Sequence, residues 1–382
     1  MVGCWSTPSP TVPSGTGQSK HSAITLLCSI VLVAFPAVGT SVLTLVSNPT
    51  HTGGRGYPGG NALLNTQINV YSSANADLMN WRYEGVAFHM PEQPLCQPQG
   101  GKPSQPLRCY ADRCKVLRNP ATAKYVMWCK SKPFASVAVA DNATGPFRLV
   151  KLFNPGGHEV GDCTATADPA DPSNAYFVLS VHPSSYGFSK NDSRQVKIFR
   201  MTPDWTELTG EYRNVTAAWP LPNRYDGKLE APSPFFDAET KRHYIWTSHC
   251  TYWYPNDAVL LGSAELFASE LWSRLGNPTH NDTSWQSQST YVLPVPTAAR
   301  SRAGRPARAA IGSTTASNAV YTAADAPWIY IADRFMCNFD AGTQPGCPSY
   351  VDLNQTGRYV WLPIERGAEG KLVVRWHDEW RL

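Results

Sequence analysis

DRCKVLRNPATAKYVMW (112–128) opens on an acid, runs through a short apolar stretch, turns at Asn-Pro-Ala and returns through an aromatic-rich stretch that ends in tryptophan. Apolar and aromatic runs on either side of a Pro-containing polar turn read as a β-hairpin. The segment does not stand alone. Asp162 opens DCTATADPADPSNAYFVLS (162–180) and Glu230 opens EAPSPFFDAETKRHYIWTS (230–248) in the same way, and from acid to second-strand tyrosine (Tyr125, Tyr176, Tyr244) the distance is 13, 14 and 14 residues. A fourth copy begins at Gln288 in QSTYVLPV (288–295) and resumes, after a long insertion, at WIYIADR (328–334) around Tyr330. Hairpins that repeat every few tens of residues indicate a repeat architecture, in which each unit buries its core only against its neighbours. If the units are propeller blades, their first strands line one central channel, and the three acids and the glutamine converge there.

Working outward, INVYSSANADLMNWRYEGVAF (68–88) gives two strands around a polar turn, and 89–107 is a Pro/Gln-rich loop. TGPFRLVKLF (144–153) and RQVKIFRMT (194–202) read as outer strands. RYVWLPI (358–364) and KLVVRWHDEW (371–380) close the chain with strands that suit completion of the first blade. Residues 296–326 form a low-complexity insertion whose core, ARSRAGRPARAA, carries four arginines and reads as a solvated loop rather than a patch for an acidic polymer. Helical periodicity is scarce, and 32 Pro with 28 Gly punctuate short Val/Ile/Tyr/Trp runs, so the class is all-β.

The formal charge of +4 is small and dispersed, which argues against a nucleic-acid partner. Residues 1–22 are a polar Pro/Ser/Thr-rich tail, 23–46 carry no charge, 47–65 read as a Gly/Pro-rich linker, and 66–382 hold the repeats. The apolar run is long enough to span a bilayer, with Lys20 favouring a cytoplasmic N-terminus, which would anchor the protein to the membrane through 23–46. It also fits a signal peptide cleaved near Ala37-Val38-Gly39. Both readings place the protein in the secretory pathway, secreted or membrane-anchored, in line with five N-x-S/T sequons at Asn142, Asn191, Asn214, Asn281 and Asn354. Ten cysteines agree with export, Cys337–Cys347 and then Cys96–Cys109 being the favoured pairs; none has metal-ligand spacing.

Two carboxyl groups facing one another across a sugar-sized cleft are the minimum for glycosidic cleavage. Glu230 heads an apolar strand and precedes Ala-Pro, surroundings that can raise a carboxyl pKa by desolvation and suit a general acid, while the local sequence fits a surface Glu capping a strand equally well. Asp162 and Asp112 suit orientation of the acid and hydroxyl binding, or simple turn capping. Gln288 cannot be a conventional base; its amide oxygen can hold a water, or the side chain can simply satisfy buried backbone groups. HCTYWYPND (249–257) supplies Thr251, Trp253 and Asn256 on a loop after the Glu230 hairpin, where all three can reach and bind a sugar; His249 reads as structural.

Taken in order, RYEGVAF, KYVMW, TGPF, DCTATAD, LEAP, TSHCTYWYPN, SQSTYVLPV, YIADR, RYVWLPI and WHDEW resemble the family 43 glycoside hydrolases, and among them the exo-β-1,3-galactanases. The resemblance implies a five-bladed β-propeller and an inverting enzyme that removes galactose from the non-reducing end of β-1,3-galactan, the backbone of arabinogalactan-type glycans. It also implies Glu230 as general acid, Gln288 as the residue positioning the water, Asp162 as the residue tuning the acid, Asp112 at the place of a Glu, and Thr251 and Trp253 as sugar contacts. No cofactor is required by that chemistry. The linker 47–65 stands where members have an Ala-His-Gly-Gly strand, so the first blade is expected to be truncated. Asp112 is one methylene shorter than the Glu, Cys114 replaces a Pro, Gly161 replaces an Arg, and Phe134 stands where an aromatic hydroxyl is expected. Two other functions fit the chain: a catalytically weak or inactive propeller that binds galactan-type glycans, and a family 43 hydrolase acting on arabinofuranosyl or xylosyl substrates.

Overall fold

The computed structural model describes residues 67–72, 81–96, 111–131, 133–182, 195–215, 228–251, 255–270, 272–295, 321–322, 326–335 and 357–381. The apolar run 23–46, the linker and the arginine-rich core of the insertion lie outside them. No helix of the described residues is long and apolar enough to cross a membrane.

Each repeated hairpin grows into an antiparallel four-stranded sheet. The first comprises β3 (Asp112–Arg118), β4 (Tyr125–Ser131), β5 (Phe134–Ala140) and β6 (Arg148–Phe153). The second is β7 (Glu159–Ala167), β8 (Ala175–His182), β9 (Val196–Met201) and β10 (Leu208–Asn214), and the third is β11 (Leu229–Asp237), β12 (Arg242–His249), β13 (Ala258–Ser263) and β14 (Ser273–Gly276). In the fourth, β15 (Ser287–Pro294) pairs with β17 (Trp328–Phe335) across the insertion, followed by β18 (Gly357–Arg366) and β19 (Leu372–Val374). Among the described residues RYVWLPI and the start of KLVVRWHDEW therefore complete this fourth sheet rather than the first blade, while Trp380 at the end of the latter falls in a separate pair. Their place follows from the unbroken register of β17 with β18, which pairs the apolar WIYI and WLPI stretches. Two further pairs are two-stranded: β1 (Gln67–Ser72) with β2 (Arg82–His89), and β16 (Tyr321–Thr322) running parallel to β20 (Trp380–Arg381).

Why these segments form blades is visible in their burial. The second strands, such as YVMWCKS and RHYIWTSH, are buried at almost every position, because a sheet packed on both faces needs no polar side. The outermost β10 (LTGEYRN) and β14 (SRLG) are largely exposed and carry the charges that keep an edge soluble. Aromatic side chains fill the gaps between sheets: Trp128 meets Phe177 at 4.8 Å and Trp246 meets Tyr330 at 4.6 Å, pairs that contribute about 0.5–1.5 kcal/mol each beyond burial. One apolar cluster joins the first sheet to the second, another the second to the third, a third the third to the fourth. The β1–β2 pair packs Ile68, Val70 and Phe88 on the first sheet, and nearby Trp81 stands edge-on to Trp361 of the fourth. The chain is an all-β propeller, with β3, β7, β11 and β15 side by side as the innermost strands.

Candidate active site

In every innermost strand the ladder slips beside the residue that opens the repeat: between Asp112 and Lys115, Val160 and Cys163, Glu230 and Ser233, and Ser289 and Tyr291. A bulge adds a residue, bends the strand and re-aims a side chain. Arg113 and Ala231, which follow Asp112 and Glu230, take φ of +49° and +55°. That left-handed conformation costs a side-chain-bearing residue roughly 1–2 kcal/mol, so tertiary contacts must hold it. Gly161, before Asp162, is held differently: a Cβ there would stand 2.4 Å from the Ser180 carbonyl oxygen, so no side chain fits.

Four residues named from the sequence, Asp112, Asp162, Glu230 and Gln288, are brought together by these bulges, and a buried arginine links them. Arg113 Nε lies 3.0 Å from Asp162 Oδ1, its Nη2 donates to Gln288 Oε1 at 2.5 Å, and its Nη1 donates to the Ser289 carbonyl at 3.0 Å. Gln288 Nε2 in turn donates to Glu230 Oε1 at 3.1 Å and to Ser248 Oγ at 3.0 Å. Lys130 Nζ donates to Asp162 Oδ1 at 2.9 Å and lies 3.8 Å from Asp112 Oδ2. Asp112 Oδ1 also accepts the Arg113 backbone N–H at 2.9 Å. Glu230 is buried, 8% exposed.

Burial alone works against a charged guanidinium, but the carboxylates of Asp162, Asp333, Asp112 and Glu230 outweigh it and hold Arg113 above its ordinary range. Lys115, two residues further along β3, is pushed down to about 8, first by burial and then by Arg113. Cys163, a free thiol next to Asp162, is pushed up to about 12 by burial, so it stays uncharged. Asp333 keeps part of its surface open by area, yet it is set deep enough among neighbouring groups that desolvation first, with help from Asp112 and Asp162 and against Arg113 and Lys115, pushes its carboxyl up to about 7.

Asn256 is hydrogen-bonded to the 249–251 turn, in which the Thr251 N–H donates to the His249 carbonyl at 3.2 Å. Asn256 Oδ1 accepts the His249 N–H at 3.1 Å, while its Nδ2 donates to the His249 carbonyl at 3.1 Å and to Thr251 Oγ1 at 2.6 Å. The Cys250 N–H donates to the Lys228 carbonyl at 3.3 Å, which sets this turn beside the start of the Glu230 strand. Trp253 lies outside the described residues. His249 is fully buried, with Nε2 3.3 Å from Asp257 Oδ1. A disulfide joins Cys114 to Cys129, a pair not foreseen from the sequence, and Cys96 is also disulfide-bonded; the expected Cys337–Cys347 and Cys96–Cys109 pairs involve residues outside the described part.

Sequence reading missed Arg113, Lys130, Ser248 and Asp333. Three of them come from second strands: Lys130 is the register partner of Asp112, Ser248 of Glu230 and Asp333 of Gln288. A signal was present, since Lys130, Ser180 and Ser248 each lie 18 residues after the acid that opens their repeat.

These features define a class: a β-propeller in which acids, an amide and a buried arginine from successive innermost strands meet at one place. Solved structures share the fold. A GH43 β-1,3-galactosidase solved with galactodeoxynojirimycin superposes with a TM-score of 0.61 at 22% identity, over 91% of this chain and 94% of its own. An exo-β-1,3-galactanase from Phanerochaete chrysosporium solved with galactose gives 0.60 at 18% identity, over 94% of this chain and 68% of its own. An exo-β-1,3-galactanase from Clostridium thermocellum gives 0.56 at 21%, over 92% and 66%. No protein-family model and no curated protein matches the chain.

Proposed function

We propose that this protein is a glycoside hydrolase that removes galactose from β-1,3-galactan with inversion at the anomeric carbon. The observation that carries the reading is the convergence of Asp162, Glu230 and Gln288 from successive innermost strands, linked through Arg113, in a fold shared with a β-1,3-galactosidase and with an exo-β-1,3-galactanase solved with galactose. In this reading Glu230 gives its proton to the leaving glycosidic oxygen, and Gln288 uses the remaining lone pair of Oε1 to hold the attacking water. Asp162, gripped by Arg113 and Lys130, fixes the electrostatics around the acid. Asp112, Thr251 and Trp253 bind sugar hydroxyls and ring faces, with Asn256 holding the Thr251 turn for that purpose.

The same proposal extends to the whole propeller. The β1–β2 pair lies against both the first and the fourth sheet, which supports a fifth, shortened blade closing the ring. The disulfide at Cys114–Cys129 and the bonded Cys96 support folding in an oxidising compartment, and hence export with 23–46 as signal or anchor. A second reading, a glycan-binding propeller without turnover, is favoured by the β1–β2 sheet having only two strands among the described residues.

The deciding experiment measures galactose released from β-1,3-galactan by the purified protein and by a Glu230→Gln variant. Release that disappears in the variant supports both the hydrolase and its acid. Equal release in the two rejects Glu230, and a folded protein that binds galactan without cleaving it selects the second reading.

A further inference from the structure

Inverting hydrolysis needs a group that takes a proton from the attacking water, and the amide of Gln288 is ill suited to it. Both of its N–H bonds are spent, on Glu230 Oε1 and Ser248 Oγ, and Arg113 Nη2 occupies one lone pair of Oε1 at 2.5 Å. What remains can orient a water but is not basic near neutral pH. Among the carboxylates nearby, Asp162 Oδ1 receives both Arg113 and Lys130, and Asp112 is tied to the Arg113 backbone N–H and lies near Lys130.

Asp333 differs from both. It is the register partner of Gln288 across β15 and β17, which puts the two side chains next to one another on one face of the sheet. Among the described residues its carboxylate makes no hydrogen bond or ion pair, and part of it remains open to solvent. The charged groups around it are Arg113, Lys115 and Asp112 from β3 and Asp162 from β7.

We propose that Asp333 is the proton acceptor for the water held by Gln288, a role that rests on the galactan-hydrolase reading above. The water oxygen bonds the anomeric carbon as the bond from that carbon to the leaving oxygen breaks. Glu230's proton passes to the leaving oxygen and the water's surplus proton passes to Asp333, and exchange with solvent then restores both groups. With its carboxyl near 7, Asp333 is matched to accept a proton close to neutrality.

The test compares the full-length protein with Asp333→Asn and Gln288→Ala, on β-1,3-galactan and on an aryl β-galactoside, with and without sodium azide. The expected result is a loss of kcat of about 100-fold or more in D333N. Azide, which needs no base, should partly restore turnover in D333N and leave α-galactosyl azide, identifiable by NMR, that wild type does not make. Wild-type rates in D333N overturn the assignment while leaving the hydrolase reading intact, as does azide rescue confined to Q288A. A folded wild type that releases no galactose removes the hydrolase reading, and this inference with it. Should D333N fail to fold by near-UV circular dichroism, the wild-type pH profile of kcat/KM decides: an acidic limb near 7 supports the role, and a flat profile from about pH 5 to about pH 8 overturns it.

Discussion

Arg113 Nη2 donates a 2.5 Å hydrogen bond to Gln288 Oε1, joining the first four-stranded blade to the last across 175 residues of sequence. Since the same guanidinium reaches Asp162 and the Ser289 carbonyl, it sets the distance between three innermost strands. Removing a buried partner that leaves carboxylates uncompensated costs about 3–5 kcal/mol. Arg113→Ala is therefore expected to lower the melting temperature steeply. Arg113→Lys keeps the charge without the planar fork, and should fold while losing at least about tenfold in kcat. Thermal unfolding beside initial rates separates the two; an R113K variant as active as wild type would show that the fork does not position Gln288.

The acids and the glutamine were legible because they open repeats whose turns and aromatic strands can be aligned by eye. Arg113 was not, because a residue following the acid in an ideal strand points away from the axis; only the bulge, with φ of +49° at Arg113, turns it inward. Asp333 lies in the WIYIADR stretch that the sequence joins to Gln288 as the fourth hairpin, but its place beside Gln288 depends on the register of that pairing, and the insertion removes the 18-residue offset that places Lys130 and Ser248. The Cys114–Cys129 pair is a cross-strand contact of the same kind, invisible until the hairpin register is counted.

Gln288→Glu tests the amide itself. It would set a second carboxyl about 3 Å from Glu230, where two like charges do not both ionise. The introduced carboxyl then titrates higher in the folded than in the unfolded chain, so the folded state binds more protons above the usual carboxylate range. The stability deficit against wild type should grow as pH rises from about 4 toward about 7. Melting temperatures of both proteins across that range check it, and a deficit independent of pH would mean the two groups do not face each other.

Lys115 gives a pH dependence of opposite sign. It is 1% exposed, its Nζ donates to the Arg113 and Cys114 carbonyls at 3.4 and 3.3 Å, and burial followed by Arg113 lowers it to about 8. An unfolded lysine titrates near about 10.4, so between the two values the unfolded chain holds more protons and stability rises with pH. Lys115→Met should stabilise the protein by roughly 1–3 kcal/mol at neutral pH. Its advantage should shrink between about pH 8 and pH 10, as the wild-type ammonium loses its proton. Urea unfolding at three pH values is sufficient, and a constant difference would place the ammonium in contact with water.

The Cys114–Cys129 disulfide ties β3 to β4 between Arg113 and Lys130, the two cations that grip Asp162. Closing a loop of this length stabilises a fold by about 2–4 kcal/mol. The double change Cys114→Ala, Cys129→Ala should lower stability by that amount and affect kcat more than KM, because the cations around Asp162 shift while the 249–251 turn, proposed above to contact sugar, does not. A rate loss that follows unfolding alone, vanishing at low temperature, would limit the disulfide to a structural role.

Gly161 isolates the effect of backbone approach on the site. Its missing Cβ would meet the Ser180 carbonyl oxygen at 2.4 Å, and Ser180 Oγ donates at 2.8 Å to the carbonyl of Leu229, the residue before Glu230. An alanine must push β7 from β8, an overpacking that costs about 1–3 kcal/mol, and the displacement reaches Asp162 on one side and the Glu230 strand on the other. Gly161→Ala is expected to lose activity out of proportion to its fall in melting temperature. Adding Ser180→Ala should not restore it, because the obstacle is a backbone oxygen and the second change also removes the bond to Leu229. Recovery in that double variant would instead locate the clash in the Ser180 side chain.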